Sequence, residues 1–448
     1  MHTISNSKRL SYAAADTAGQ LVFAVISNYL LYFYTDVYGI PVAVAGMIVL
    51  VARCIDGVDA PVWGMILDRT RSRWGKYRPW FLWLSVPYAV FGVLTFLTPD
   101  LGDAKALYAA STYIVCGILY TGINTPVTAI LSALTPDPRQ RVLLTTYRMI
   151  GSKVGVLIVS ATALPLIGLL GHGDDKRGFM LAMPIFAAGA VALFLLAFRN
   201  LEEVVAPPRE PAHILRTFGA IPGNWPWIII AVSSLLFWVA YTSRVSTVIY
   251  YFAYNLGRKD LVPLVNSLDI VSLSAVVFLP SLCRRTSKRN LWAWGLVGSI
   301  TGQFIMWLGA PSIPWVLGGW IFGAIAGGVA MTLPFSLLSD SVDYGEWKTG
   351  IRAAGLLTAV GASLCFKAGT GIGGALPAWA MAVCGYVPGA HQTASSLTGI
   401  AIGFIWLPAV FFALALAPVL FYSRYEALEP RIHLELEQRR ALTAVEEG

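Results

Sequence analysis

Charge is what this sequence has least of. Only 12% of its 448 residues are charged, while 56% are apolar and the mean hydropathy is +0.66. A soluble protein carries roughly a quarter of its residues as charges, so a water-exposed globule of this length is excluded. Cysteine and histidine are scarce as well, five of each. Cys54, Cys116, Cys283, Cys365 and Cys384 lie in or beside apolar runs at no metal-ligand spacing, which argues against a disulfide framework or a zinc site. His172, His391 and His433 stand apart in loops and the tail and form no cluster. No Gly-rich loop ends in Gly-Lys-Ser/Thr, so nothing suggests nucleotide hydrolysis. The Gly369–Gly374 segment follows no strand and suits close helix packing. With no Ser/His/Asp or metal constellation either, the chain is not expected to be an enzyme or to hold a resident cofactor.

What it has in abundance is bilayer-length apolar sequence, each run near the roughly 20 residues that cross the hydrocarbon. Spans are predicted near 11–35, 43–66, 79–98, 107–132, 149–170 and 178–198. A second set falls near 227–256, 263–282, 291–309, 313–338, 354–385 and 397–422. Lys8 and Arg9 precede a run far longer than the apolar core of a signal peptide, so the first span is expected to be retained.

The net charge of +8 would suggest nucleic acid in a soluble protein, but its distribution points elsewhere. If alternate loops share a side with the N-terminus, nearly every basic loop residue falls there, from Lys8 and Arg9 through Arg69–Arg78 to the tail arginines. The opposite loops hold only Lys105, Lys176, Arg177, Arg258 and Lys259. By the positive-inside rule both termini are expected in the cytoplasm, with an even number of spans.

The polar stretch 199–226 parts the runs into six and six, giving bundles 1–198 and 227–422, a linker between them, and a cytoplasmic tail 423–448. A duplication is suggested by two span ends, Tyr32-Phe33-Tyr34-Thr35-Asp36-Val37-Tyr38-Gly39 and Tyr250-Tyr251-Phe252-Ala253-Tyr254-Asn255-Leu256-Gly257. Shared interfacial anchoring by aromatic residues is the alternative. The expected class is an all-α membrane protein of twelve helices in two six-helix bundles, an architecture many secondary transporters use with the substrate at the midplane.

Ionisable groups within a bilayer cost roughly 2.5–3.5 kcal/mol each on insertion scales, so they face protein or water. Arg53, Asp56 and Asp59 follow at i, i+3 and i+6 on the second span, one face of a helix. Two carboxylates beside one arginine suit a hydrated pocket for a small cation or a proton; the alternative is a structural ion pair. Arg244 lies deep in the seventh span and Asp269 in the eighth. They either neutralise one another, or Arg244, with Lys367 or Arg148, meets an anionic substrate. Lys153, past Arg148, is read as snorkelling to the interface.

The second span exits through Gly64-Met65-Ile66-Leu67-Asp68-Arg69-Thr70-Arg71-Ser72-Arg73-Trp74-Gly75-Lys76-Tyr77-Arg78-Pro79-Trp80, which resembles the loop signature of the major facilitator superfamily. Together with Arg53-x-x-Asp56, Asp137-Pro138-Arg139-Gln140-Arg141, Ser339-Asp340-Ser341-Val342-Asp343-Tyr344-Gly345-Glu346-Trp347-Lys348 and Lys367, it resembles the glycoside–pentoside–hexuronide:cation symporter family from about Leu10 to Tyr425. The resemblance implies a sugar or glycoside carried with H⁺ or Na⁺ by a monomer in the inner membrane, with no nucleic-acid partner.

Site residues follow from the resemblance. Asp56, Asp59 and Thr121 fall at the cation site, with Asp59 one position before the family's second aspartate, where this chain has Ala60. That shift turns the carboxylate by about 100° and leaves H⁺, Na⁺ and uncoupled transport open. Gln20, Tyr120, Asn124, Thr128, Arg148 and Lys367 are expected on the substrate side, with Arg244 added from its position. Gln20 and Asn124 stand where the family's melibiose carriers have aspartates, which makes this pocket more positive. Arg53, Asp68, Arg141, Asp340, Asp343, Glu346 and Arg352 are expected to form charge latches. The alternatives are a lysolipid or amphiphile carrier of the same fold, for which a long apolar side cleft would speak, and an uncoupled glycoside transporter or exporter.

Overall fold

The protein is described from a computed structural model, which defines residues 5–135, 137–204, 223–350, 357 and 360–446. All regular structure among these residues is helical. The first six long helices are α1 (Asn6–Tyr32), α2 (Val42–Arg69), α3 (Arg78–Leu94), α4 (Lys105–Ala129), α5 (Pro138–Gly171) and α6 (Asp175–Asn200). There follow α7 (Trp225–Tyr250), a broken α8 (Val262–Leu268 and Ser272–Cys283), α9 (Lys288–Gly309), α10 (Ile313–Thr349) and α11 (Cys365–Val383). A broken α12 (Ala394–Ala401 and Leu407–Phe421) and the polar α13 (Ser423–Glu446) complete the chain. Among the described residues, 8 helical stretches are long and apolar enough to cross a membrane; α1, α2, α3 and α11 occupy the remaining predicted spans.

Three boundaries differ from the sequence reading. α5 begins at Pro138, so Arg141 and Arg148 ride on the same helix as the apolar run behind them. α10 continues to Thr349, where Gly350 stops it in the left-handed region at φ +71. Asp340, Asp343 and Glu346 are therefore helical residues at i, i+3 and i+6 rather than a loop. The eighth span is interrupted by a 3₁₀ turn at Asp269–Val271. Polar Asn266, Ser267 and Asp269 crowd the break, and the Ser267 hydroxyl back-bonds to Pro263 O at 2.6 Å, a contact that bends helices.

The two similar span ends have the same backbone. α1 runs into a π turn at Phe33–Val37 and α7 into one at Tyr251–Asn255. Tyr38 N bonds to Phe33 O at 2.8 Å and Ile40 N to Tyr34 O at 2.8 Å; Leu256 N bonds to Tyr251 O at 3.1 Å and Arg258 N to Phe252 O at 2.7 Å. Each ends on a glycine of positive φ, Gly39 at +76 and Gly257 at +65, where a side chain would be strained. Phe33, Tyr34, Tyr250 and Phe252 are fully buried, so these aromatics pack inside protein instead of anchoring at an interface.

Two compact units emerge. The first comprises Met1–Arg209, Val245–Ile270 and Gly374–Ala401; the second comprises Glu210–Arg244, Val271–Gly373 and Ile402–Gly448. In the first, α1 lies between α5 and α6, and α4 packs on α2 and α3. A β-carbon on Gly155 would stand 2.7 Å from Gln20 Cβ and 2.9 Å from Thr17 O, and one on Gly151 would strike Ala13 O. This Gly151-x-x-x-Gly155 stripe lets α1 and α5 touch backbone to backbone, and Thr17 Oγ1 donates to Gly151 O at 2.8 Å. In the second unit α9 packs on α10 and on the second half of α12, around Trp227, Trp292, Leu333, Phe412 and Tyr425.

Candidate functional site

The close approach of α1 and α5 brings polar groups together inside the first unit. Tyr12, Asp16 and Gln20 recur every fourth residue along α1, on one face. Asp16 is 8% exposed, and its Oδ2 lies 3.5 Å from Arg148 Nε on α5. Ser152, one turn beyond Arg148, lies near the same carboxylate, and Tyr12 stands beside the guanidinium. The Tyr12 hydroxyl also donates to Val127 O at 2.9 Å, which ties α4 to the group. Arg148, expected on the substrate side, is half of an ion pair. Asp16 is an acid in mid-span that the sequence reading misses, because the family's own acidic position falls four residues on, at Gln20. Gln20 is half-buried beside Gly155, Asn124 is half-buried and Thr128 is exposed on α4.

The second cluster joins α2 to α4. Arg53 Nη1 donates to Asp56 Oδ2 at 3.2 Å, and both are buried. Asp59 and Thr121 are buried as well, at 9% and 7% exposure. Glycine at 117 is what admits the carboxylate, since a β-carbon there would lie 2.6 Å from Asp56 Oδ1. Arg53 lies over the Phe23 ring at 5.1 Å, and Phe23 stacks on Tyr120 with centroids 4.6 Å apart. Phe23, Arg53, Asp56, Tyr88, Tyr113 and Tyr120 enclose a cavity of about 10 Å³. That is near the least that holds one water, so it suits a water or a small cation and cannot admit a sugar.

Of the remaining expected residues, Arg244 and Lys367 belong to the second unit. Arg244 is 2% exposed, its guanidinium 4.3 Å above the Trp320 ring and against Gly323; Lys367 is half-buried on α11. Asp269 forms an ion pair with Lys153 Nζ at 3.9 Å. Lys153 therefore turns to the broken α8, where a half-buried carboxylate offers it a partner, in place of the expected snorkelling. Asp340 binds Lys288 Nζ at 2.8 Å, Trp347 donates to Glu435 at 2.7 Å, and Asp343 and Glu346 are half-buried on α10. Arg141 donates to Thr135 O at 2.9 Å and Ser132 O at 3.5 Å. The Asp68 side chain and Arg352 lie outside the described residues.

Around the signature loop the groups that make contact are others. Glu203 accepts from the backbone N–H groups of Lys76, Tyr77 and Arg78 at 2.9, 2.6 and 3.0 Å, an anion held at a helix N-terminus. Arg78 donates to Phe198 O at 2.7 Å at the end of α6.

A third cluster, unforeseen from sequence, lies at the far end of the first unit. The Asp36 carboxylate accepts from the Tyr386 hydroxyl at 2.7 and 2.8 Å and from the Tyr254 hydroxyl. Thr35 donates to Asp36 at 2.7 Å and lies 2.7 Å from the Tyr250 hydroxyl. Beside it Lys259 binds Asp175 at 2.7 Å and the Tyr32 hydroxyl at 2.9 Å. The two matching π turns carry Asp36 and Tyr254 and bring them together.

A polytopic helical chain with buried ion pairs on several spans has the form of a carrier, and the comparisons agree. A family model described as MFS/sugar transport protein matches residues 11–424. The chain belongs to this family: it is a multi-pass membrane transporter, not an enzyme, and handles a sugar or glycoside by secondary active transport with alternating access. The isoprimeverose transporter of Lactiplantibacillus pentosus is 38% identical over 442 residues, covering 97% of this chain and 92% of that protein. The inner membrane symporter YicJ of Escherichia coli (strain K12) is 30% identical, covering 95% and 92%. A bacterial homologue of the human lysosomal transporter Spinster, solved inward-facing and unoccupied, superposes with a TM-score of 0.69 at 13% identity, over 94% of this chain and 97% of that one. That likeness concerns the fold.

Proposed function

We propose that this chain is a cation-coupled symporter that imports a sugar or glycoside across the inner membrane, its two six-helix bundles (1–198 and 227–422) rocking with both termini in the cytoplasm. The observation that carries the coupling is the cavity in which Asp56 and Arg53, on the cation side, share walls with Tyr120, on the substrate side. Entry of H⁺ or Na⁺ at Asp56, with Asp59 and Thr121 near it, changes the charge balance against Arg53. Phe23 lies against that arginine and Tyr120 stacks on Phe23, so its movement reaches the sugar-facing wall through one ring. Gln20, Asn124, Thr128 and Lys367 supply hydroxyl-binding groups, amides acting as donor and acceptor together. The Asp36 fastening is the outer gate, which must open to admit substrate, and the Asp340–Lys288 and Arg141 contacts hold the inner ends.

The test is uptake in proteoliposomes of the full chain with pH and Na⁺ gradients imposed separately. Asp56→Asn is expected to abolish uphill accumulation while keeping sugar-for-sugar counterflow within a few-fold of the parent. Accumulation by Asp56→Asn equal to the parent's would refute the assignment.

One observation favours an amphiphile carrier. An apolar groove of about 550 Å³ on the second unit is lined by Trp225, Ile229, Leu236, Leu414 and Phe421, with Arg424 at its end. If lysophosphatidylcholine drives counterflow and glycosides do not, that reading replaces the first.

A further inference from the structure

The sequence makes the substrate side look cationic, because Gln20 and Asn124 stand at acidic positions while Arg148 is kept. The structure alters that balance through a residue nothing above assigns. Asp16 sits one helical turn from Gln20 on the same face of α1 and closes on Arg148 Nε at 3.5 Å. Its geometry is built: Gly151 and Gly155 remove the β-carbons that would hold α1 and α5 apart. Thr17 donates to Gly151 O at 2.8 Å and holds the two helices together beside the pair. The side chain of Asp16 is 10% exposed and that of Arg148 is 23% exposed, so the pair is shielded from bulk water but Arg148 keeps an open edge. With Nε toward Asp16 and Tyr12 beside the guanidinium, the exposed part of the fork is what a ligand can reach as a donor.

We propose that Asp16 determines the charge selectivity of the sugar site: it neutralises Arg148, so that the pair takes uncharged glycosides through hydroxyl contacts and disfavours uronates and other anionic sugars. This rests on the sugar reading above. A sugar hydroxyl can accept from the open edge of Arg148 and donate to the outer lone pairs of Asp16, so a neutral ligand satisfies both halves. An anionic ligand would compete with Asp16 for the one guanidinium and meet a carboxylate at the same place, and like charges at a desolvated site exclude the wrong partner. Arg244, the other cation invoked for an anionic substrate, is stacked on Trp320 within the second unit.

The experiment is counterflow by proteoliposomes of the full chain with matched pairs of p-nitrophenyl glycosides, each a neutral hexoside and the uronide that differs only at C6. The parent is expected to prefer the neutral member. Asp16→Asn leaves Arg148 uncompensated and is expected to shift the neutral-to-uronide ratio about 10-fold or more toward the uronide, the scale of one hydrogen bond to a charged group. Asp16→Glu is expected to retain the parental ratio. The double variant Asp16→Asn/Arg148→Gln, which removes both charges, is expected to return toward the parental ratio at a lower rate, and that return separates charge selection from poor folding. An Asp16→Asn ratio within twofold of the parent, or a parent that prefers the uronide, overturns the proposal while leaving the sugar reading intact. A parent that moves no glycoside of either charge removes the sugar reading and this inference with it.

Discussion

Asp36 offers the sharpest test of the reading that the first unit is fastened at its far end. Three hydroxyls donate to its carboxylate, from Thr35, Tyr254 and Tyr386. A hydrogen bond to a charged group contributes about 1.5–3 kcal/mol and a neutral one about 0.5–1.5, so neutralising the acceptor removes roughly 1 kcal/mol per bond. Thr35 is the neighbour of Asp36 in the same turn and keeps its bond in either state, so two bonds, from Tyr254 and Tyr386, depend on closure. Asp36→Asn keeps the shape and removes the charge, for a loss of about 2 kcal/mol over those two bonds, or about 30-fold in the closed-to-open ratio. A carrier that cycles keeps both states within reach of each other. If one parent molecule in about a hundred is open, the variant becomes about 25% open. Spin labels at Ala104 and Ala390, both exposed loop positions of the first unit, report this by pulsed electron spin resonance. The parent is expected to give one distance, and Asp36→Asn a second, longer component of about a quarter of the weight. An unchanged distance distribution together with unchanged uptake would sink the idea that this carboxylate holds a gate.

Two glycines make further predictions. Gly117→Ala places a methyl 2.6 Å from Asp56 Oδ1, so uphill uptake is expected to fall at least about tenfold, from the strain of overpacking, while counterflow is retained. Gly151→Ala drives a methyl into the α1 backbone and is expected to cost about 1–3 kcal/mol, read as a lowered melting temperature in detergent. Gly64→Ala is the control: nothing lies within 4 Å of its added β-carbon, so this helical site is expected to gain about 0.4–1 kcal/mol instead.

The span pattern is legible in the sequence because a bilayer imposes length and hydropathy on contiguous residues, and the helices fall where the apolar runs are. The repeat is legible as letters, Tyr32–Gly39 against Tyr250–Gly257, yet its purpose is not. Asp36 meets Tyr254 and Tyr386 across separations of 218 and 350 residues, and no local rule pairs them. The same distance in sequence hides the α1–α5 contact, where Thr17 and Gly151 are 134 residues apart. Gly151 and Gly155 show a packing stripe only once the facing helix is known. Lys153 reads as a snorkelling lysine because a lone basic residue near a span end usually has water as its best partner; a carboxylate at a helix break offers a better one.

Arg53 and Asp56 are the opposite case. Their i, i+3 spacing places them on one face of α2, and the ion pair at 3.2 Å follows from helix geometry alone. What the spacing cannot supply is the other wall. Gly117 makes room for the carboxylate, while Phe23 lies against the arginine and Tyr120 stacks on Phe23, so the pair is boxed by α1 and α4 as well as by its own helix. Asp16, on α1, is joined to Arg148 on α5, and Tyr12 joins that pair to α4. Two ion pairs thus share α1 and α4 as their common walls. On the proposed assignment of the first to the cation and the second to the sugar, a change of charge at Asp56 that moves Arg53 presses on Phe23, and α1 carries that displacement toward Asp16 within two turns. The proposed coupling then needs no long relay, because both charge pairs meet the same helix.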